Sequence, residues 1–211
     1  MYFVSIIYIM IEEVPINPAF KDPIIKTVEV ATLADVEGII AVQDSRVCDR
    51  GALVENNDRI EESGVLIYRT NEEELRDLIA DSENHFLFVL KEGEEVIGFA
   101  LCYSLENWVS TKPEWRENLI LEQGAPDIFS QPTLYFRQIA VLPGKEGSGQ
   151  GLELRVFREA KSRGYKFVVG DILKSPIENK RSMTIHKHRG FVPIGIVNDK
   201  DLVWTLVCRE M

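Results

Sequence analysis

The sequence predicts a mixed α/β domain, and three stretches carry that reading. In the first, a strand-like run, Leu134–Leu142, passes through a glycine-rich loop into a helix-like run, Gly151–Arg163, and on to a second strand-like run, Phe167–Leu173. Strand, helix and strand in that order imply a crossover and a parallel pair. In the second, His85–Leu90 and Glu95–Tyr103 flank Glu92-Gly93-Glu94 and read as a hairpin. The third is a strand over Phe191–Val197 that turns at Asn198-Asp199-Lys200-Asp201 into a last strand, Leu202–Cys208.

The remaining elements follow in chain order. Met1–Ile11 is apolar and rich in β-branched and aromatic residues, which suits a strand. It is too short to span a bilayer, and it lacks the positive n-region and cleavage site of a signal peptide. The expectation is an extra edge strand, or a strand lent to a partner subunit in a homodimer. Pro15, Pro18 and Pro23 make Glu12–Lys26 an extended linker, so residues 1–26 precede a single domain over 27–211. Thr27–Ala31 is a short strand. Thr32-Leu33-Ala34-Asp35 has the capping-box form, and Val36, Ile39, Ile40 and Val42 follow at near-helical spacing, giving a helix over about Leu33–Gln43. Val65–Tyr68 is read as a short strand. Asn71 caps a helix with Leu75, Leu78 and Ile79 on one face. The strand Glu95–Tyr103 is apolar almost throughout, which indicates burial on both faces. Leu105–Pro132 is a helical insertion with a helix over Glu114–Leu121, and a connection of this length is either functional or a plain surface insertion. Ser175-Pro176-Ile177-Glu178 reads as N-cap, first-turn proline and third-position glutamate, opening a helix to about Arg189 that Gly190 ends.

Composition narrows the function classes. A chain of 211 residues, 45% hydrophobic and 27% charged, has the make-up of an ordinary globular protein. A net charge of −10 argues against non-specific nucleic-acid binding and against anionic membrane surfaces. Cys48, Cys102 and Cys208 are widely spaced and odd in number, which suits reduced thiols in the cytoplasm, not a disulfide frame or a metal site.

The loop between the parallel strands is where chemistry is expected. Four glycines fall in the eight residues Gly144–Gly151. Backbone N–H groups there can converge on an anion, helped by the positive end of the following helix. The alternative is a flexible connection. No Gly-Lys-Ser/Thr is present, and Gly147-x-Gly149-x-Gly151 is not the dinucleotide pattern, so the open choices are another pyrophosphate-bearing ligand or none.

Two motifs resemble the GNAT N-acetyltransferases, enzymes that move the acetyl group of acetyl-CoA to an amine. The family's loop, V-x-P-x-x-(Q/R)-x-x-G-x-(G/A), is met by Val141, Pro143, Gly149 and Gly151, with Glu146 where glutamine or arginine is usual. Its later motif, N-x-x-(A/S)-x-x-(L/F)-(Y/H)-x-K-x-G-F, is met by Asn179, Ser182, Gly190 and Phe191, with His186 at the usual tyrosine. The resemblance runs over about Thr27–Cys208. It implies a mostly antiparallel sheet, splayed at the parallel pair and flanked by helices, with acetyl-CoA as cosubstrate and CoA as product.

The resemblance also implies roles. Ile139, Ala140 and Val141 would supply the oxyanion donor and line the arm of the cofactor. Gly147, Ser148, Gly149, Gln150, Gly151 and Leu152 would take the pyrophosphate. Asn179 would bond the pantetheine arm, Ser182 would admit it, and His186 would serve the leaving sulfur. Lys145, Arg155 and Lys180 are candidate cations near the loop. The preceding strand holds no carboxylate, so Glu106 is the nearest candidate general base by element order. By strand alternation Tyr135, Arg137 and Ile139 share a face. Arg137 in a substrate cleft would favour an acceptor bearing a carboxylate or phosphate, with Tyr135 and Trp108 beside it. The acceptor is expected to be a primary amine of a small molecule or peptide. The rival expectation is a non-catalytic acyl-CoA-binding or regulatory protein on the same scaffold.

Overall fold

The computed structural model describes residues 26–53 and 65–211. The expected N-terminal strand and, apart from Lys26, its linker lie outside them. One eight-stranded sheet organises the chain, in the order β1-β2-β3-β5-β6-β8-β7-β4. These strands are β1 (Lys26–Val30), β2 (His85–Glu92), β3 (Glu95–Ser104), β4 (Leu119–Leu121), β5 (Thr133–Val141), β6 (Phe167–Ser175), β7 (Val192–Asp199) and β8 (Leu202–Glu210). Every neighbouring pair is antiparallel except β5–β6.

That parallel pairing is short. It joins Thr133–Phe136 to Phe167–Gly170 and then stops. Beyond it, β5 continues on β3 and β6 continues on β8, so the sheet forks. The helix α5 (Gln150–Ser162) makes the crossover. Its buried Leu152, Val156, Phe157 and Ala160 pack on one sheet face with Phe88, Ile97, Phe136 and Phe191. On the other face lie α1 (Val36–Arg46) and α2 (Glu72–Ala80). They share a core with Trp108, Trp115, Tyr135 and Trp204. The all-buried run of β3 is explained by these two layers. Among the described residues no helix is long and apolar enough to cross a membrane. Cys48, Cys102 and Cys208 are buried, and no disulfide joins them.

Local signals fixed several element starts. Asp35 Oδ2 accepts from Thr32 N at 2.8 Å, closing a single 3₁₀ turn that leads into α1. Asn71 Oδ1 accepts from Glu74 N at 2.9 Å at the head of α2. Gly190, at φ +81°, takes the left-handed conformation that ends the last helix.

Four expectations are corrected. The insertion is not one helix over Glu114–Leu121. It holds α3 (Leu105–Thr111), α4 (Pro113–Glu117) and the strand β4, because Leu119–Leu121 find backbone partners on β7. The helix expected from Ser175 starts later, as α6 (Lys180–His188). Ser175 stays in β6, paired with Val203, and Asn179 supplies the cap instead. Among the described residues, Val65–Tyr68 contributes a single bridge, Leu66 to Val47. Finally, β5 carries a bulge: Gln138 faces Leu101 and Phe136 faces Cys102, so Arg137 has no counterpart. One extra residue inverts the side-chain parity. Ile139 therefore packs with Phe136 and Val141 on the α5 face, not with Tyr135.

Two substitutions test these contacts. A Cβ on Gly195 would sit 2.4 Å from the Ile120 carbonyl and 3.0 Å from Leu121 Cα, backbone that cannot swing away. Gly195→Ala is expected to loosen β4 and cost about 1–3 kcal/mol, read as a lower urea midpoint. Asn179 Oδ1 accepts from Ser182 N at 3.0 Å, so Asn179→Ala is expected to cost about 1 kcal/mol through the cap alone, and Asn179→Ser to recover most of it in the same assay.

Candidate active site

The glycine loop adopts the conformation its composition permits. Gly144 and Gly147 have φ of +79° and +90°, a region that side chains avoid. Gly149 is the N-cap of α5 and gives no side-chain cap. Among the described residues, the N–H groups of Gly147, Gly149 and Gln150 donate to no backbone carbonyl. All three residues line a cavity of about 290 Å³. Open amides at the head of a 13-residue helix are a ready anion site, and the residues present fit the pyrophosphate of CoA. Ile139, Ala140, Val141, Asn179, Ser182 and His186 line the same cavity. Three other residues expected there do not line it. Ser148 accepts from Lys26 Nζ at 2.9 Å, Gly151 lies against Val28, and the Leu152 side chain is fully buried in the core.

The cations at the loop are also different. Lys145 bonds Glu92, and Arg155 pairs with Glu159 at 3.3 Å. The lining cations are instead Arg46, Arg181 and Arg189. Arg46, from α1, donates Nε–H to the Val141 carbonyl at 2.7 Å and pairs with Glu146 at 2.7 Å. Its guanidinium thus stands beside the carboxylate that replaces the family's usual glutamine or arginine, and it holds the Glu146 carboxyl below the usual range. Arg189 pairs with buried Glu153 at 3.1 Å, while burial pushes that carboxyl up.

The fork leads from this cavity to a second. A narrow passage between β5 and β6 is lined by Arg137–Ile139 and Gly170–Leu173, together with Asn179, Ser182 and His186. It shares Tyr68, Arg137, Asp171 and Trp204 with the second cavity, of about 390 Å³. The insertion forms one wall of that cavity through Trp108, Lys112 and Trp115. The opposite rim holds a polar cluster, in which Arg50 pairs with Asp199 at 2.6 Å and Tyr68 bonds to both. Burial, with the Asp199 bond, pushes the Tyr68 hydroxyl up to about 12.

At the fork sits a carboxylate that sequence reasoning missed. Asp171 Oδ2 accepts from the Tyr135 hydroxyl and from Trp115 Nε1, each at 2.7 Å. Its other oxygen, Oδ1, is shut from solvent and has no hydrogen-bond partner among the described residues. Burial raises this carboxyl, against the two donors and the Arg137 charge that favour ionisation. The signal was present in the sequence: a lone acid in the apolar run Phe167-Val168-Val169-Gly170-Asp171-Ile172-Leu173. Glu106, the expected base, is exposed in the first turn of α3 and lines none of these cavities.

His186 faces the passage, but its hydrogen bonding opposes the expected donor role. Nδ1 lies 2.8 Å from the Ser182 carbonyl and must donate to it. The neutral ring then has no proton on Nε2. Only the imidazolium could donate a second time, and burial lowers this histidine from its ordinary 6.5.

Comparisons with known proteins address the fold and the family. A search of curated proteins by sequence found no match. Among solved structures, the chain is similar to the PaiA N-acetyltransferase of Thermoplasma acidophilum in complex with coenzyme A. The TM-score is 0.58 at 12% identity, covering 88% of this chain and 99% of that one. It is also similar to an N-acetyltransferase of Staphylococcus aureus, with a TM-score of 0.54 at 20% identity, covering 88% and 98%. Identities this low speak to the fold. The sequence itself is more specific, because residues 55–191 match the model of the acetyltransferase (GNAT) family. That match takes in the fork, the glycine loop and the whole of α6, and the chain belongs to the GNAT family of acetyl-CoA-dependent N-acetyltransferases.

Proposed function

We propose that the chain acetylates a primary amine of a small molecule held in the second cavity, with Asp171 as the general base. The observation that carries this is the unpartnered, enclosed oxygen of Asp171 at the point where the two cavities meet. Acetyl-CoA supplies an acetyl thioester, activated toward attack by an amine. The loop amides and the α5 terminus hold its pyrophosphate. Past Phe136, the β5 edge facing the fork has no strand partner among the described residues. Its N–H groups are free to pair with the arm and to stabilise a developing oxyanion.

Proton movements complete the account. An amine enters as an ammonium and cannot attack until it loses a proton. Asp171, whose carboxyl burial raises, is placed to take it. The nitrogen–carbon bond forms as the carbon–sulfur bond breaks, and the second amine proton ends on the departing sulfur. Tyr135 and Trp115 fix the carboxylate through Oδ2 and leave Oδ1 to the amine.

Acetyl-CoA is expected to raise the melting temperature and to release thiol in the presence of a suitable amine. Asp171→Asn should keep the melting shift and lower turnover by about 10²–10⁴-fold. It should also erase the rise of kcat/KM with pH that titration of a raised carboxyl produces. Wild-type turnover in that variant would remove Asp171 from the reaction.

His186 gives a separate, pH-dependent expectation. Its native value lies below 6.5, so the unfolded chain binds the proton first. The stability tied to the neutral ring is complete above pH 6.5 and drains away as pH falls from there toward the native value. His186→Phe should flatten that part of the stability–pH curve, measured by urea denaturation at half-unit steps.

A further inference from the structure

Opposite charges stand side by side at the fork without touching. The last parallel pair is Phe136 with Gly170, so Arg137 and Asp171 are the first residues beyond it on their strands. Both side chains line the second cavity and the passage. Each is held back by aromatic neighbours. The Arg137 guanidinium lies 4.4 Å from the Tyr68 ring centre and 4.9 Å from that of Trp108. Asp171 is held through Oδ2 by Tyr135 and Trp115. Among the described residues Arg137 forms no ion pair with any carboxylate, in a chain of net charge −10. The Tyr135 hydroxyl donates to Asp171 and also neighbours the Arg137 guanidinium.

We propose that the acceptor is a free amino acid, bound with its carboxylate on Arg137 and its amine on Asp171 Oδ1. The inference rests on the reading of the second cavity as the acceptor site. A cation and a carboxylate oxygen that both lack counter-charges are satisfied together by a zwitterion. The Tyr135 hydroxyl neighbours both groups, so the ligand's two charges must sit close together, as the amine and carboxylate of an α-amino acid do. The guanidinium, with its Cζ 4.4 and 4.9 Å from the centres of two rings, keeps N–H donors that can take a carboxylate by two parallel hydrogen bonds. The aromatic wall of Tyr103, Trp108 and Trp115 is left for an apolar side chain. A peptide N-terminus carries the amine without the adjacent carboxylate and leaves Arg137 unanswered.

The test compares phenylalanine, leucine and methionine with their amides and with the matching decarboxylated amines, reading thiol release from acetyl-CoA. Free amino acids are expected to exceed both analogues in kcat/KM on the order of 10²-fold or more, because a missing partner leaves a site's polar group unpaired. Arg137→Met should abolish that preference, chiefly by loss of the amino acid reaction. Arg137→Lys, which keeps the charge but loses the fork, should restore only part of it. Each variant is first checked for the acetyl-CoA melting shift. Equal or better use of the amides or amines by the wild type overturns the proposal and leaves the acetyltransferase reading standing. So does a melting shift with no amino acid acetylated. Absence of both the melting shift and thiol release with every amine would instead sink the cofactor site and the acceptor reading with it.

Discussion

The parting of β5 from β6 after Phe136 and Gly170 is the constraint on which the site depends. Four residue pairs of parallel ladder hold the crossover unit together, and the strands then follow different neighbours. A sheet that stayed paired would bury this backbone and leave no passage. The fork instead leaves an open edge on β5, with the glycine loop at one end and the insertion at the other. Gly170 belongs to the same device, since a Cβ there would press on the Phe136 carbonyl at 3.3 Å.

Aromatic packing sets the electrostatics of the acceptor side. Trp108 and Trp115 meet Tyr135 at ring-centre distances of 4.7 and 5.4 Å, and Trp204 lies against Tyr68 at 5.9 Å. Asp171 keeps one oxygen closed from solvent among them, and Tyr68 and Trp108 flank the Arg137 guanidinium. Low local polarity makes an unpaired charge more demanding of a partner. The insertion brings both tryptophans to this wall, which is why it belongs to the site as well as to the core.

Much of this was legible in the sequence because it depends on local chemistry. Glycines at positive φ, the Asn71 cap and the turn at Gly190 are fixed by residue type at short range. The two motifs placed Gly147, Gly149, Gln150, Asn179, Ser182 and His186 around one cavity. What escaped depends on distant partners. Leu119–Leu121 has no strand signal of its own strength and becomes one only on β7. The bulge at Arg137 is a property of two strands together, so alternation along one of them misplaced Ile139. Arg46 meets Glu146 across a hundred residues, and no spacing rule connects them. Asp171 differs: its isolation among apolar neighbours was visible, but it lies on the strand after the loop, whereas element order pointed to Glu106 before it.

The three-residue β4 has a consequence beyond the acceptor wall. It covers part of β7, whose longer backbone edge would otherwise offer unpaired N–H and C=O groups to another chain. A strand this brief is a poor template for further ladder growth, and short edge strands are one way natural sheets avoid recruiting their own kind. Gly195 permits that cover by letting the two backbones meet closely. On this flank, one missing side chain decides whether the sheet ends in a long edge or a short one.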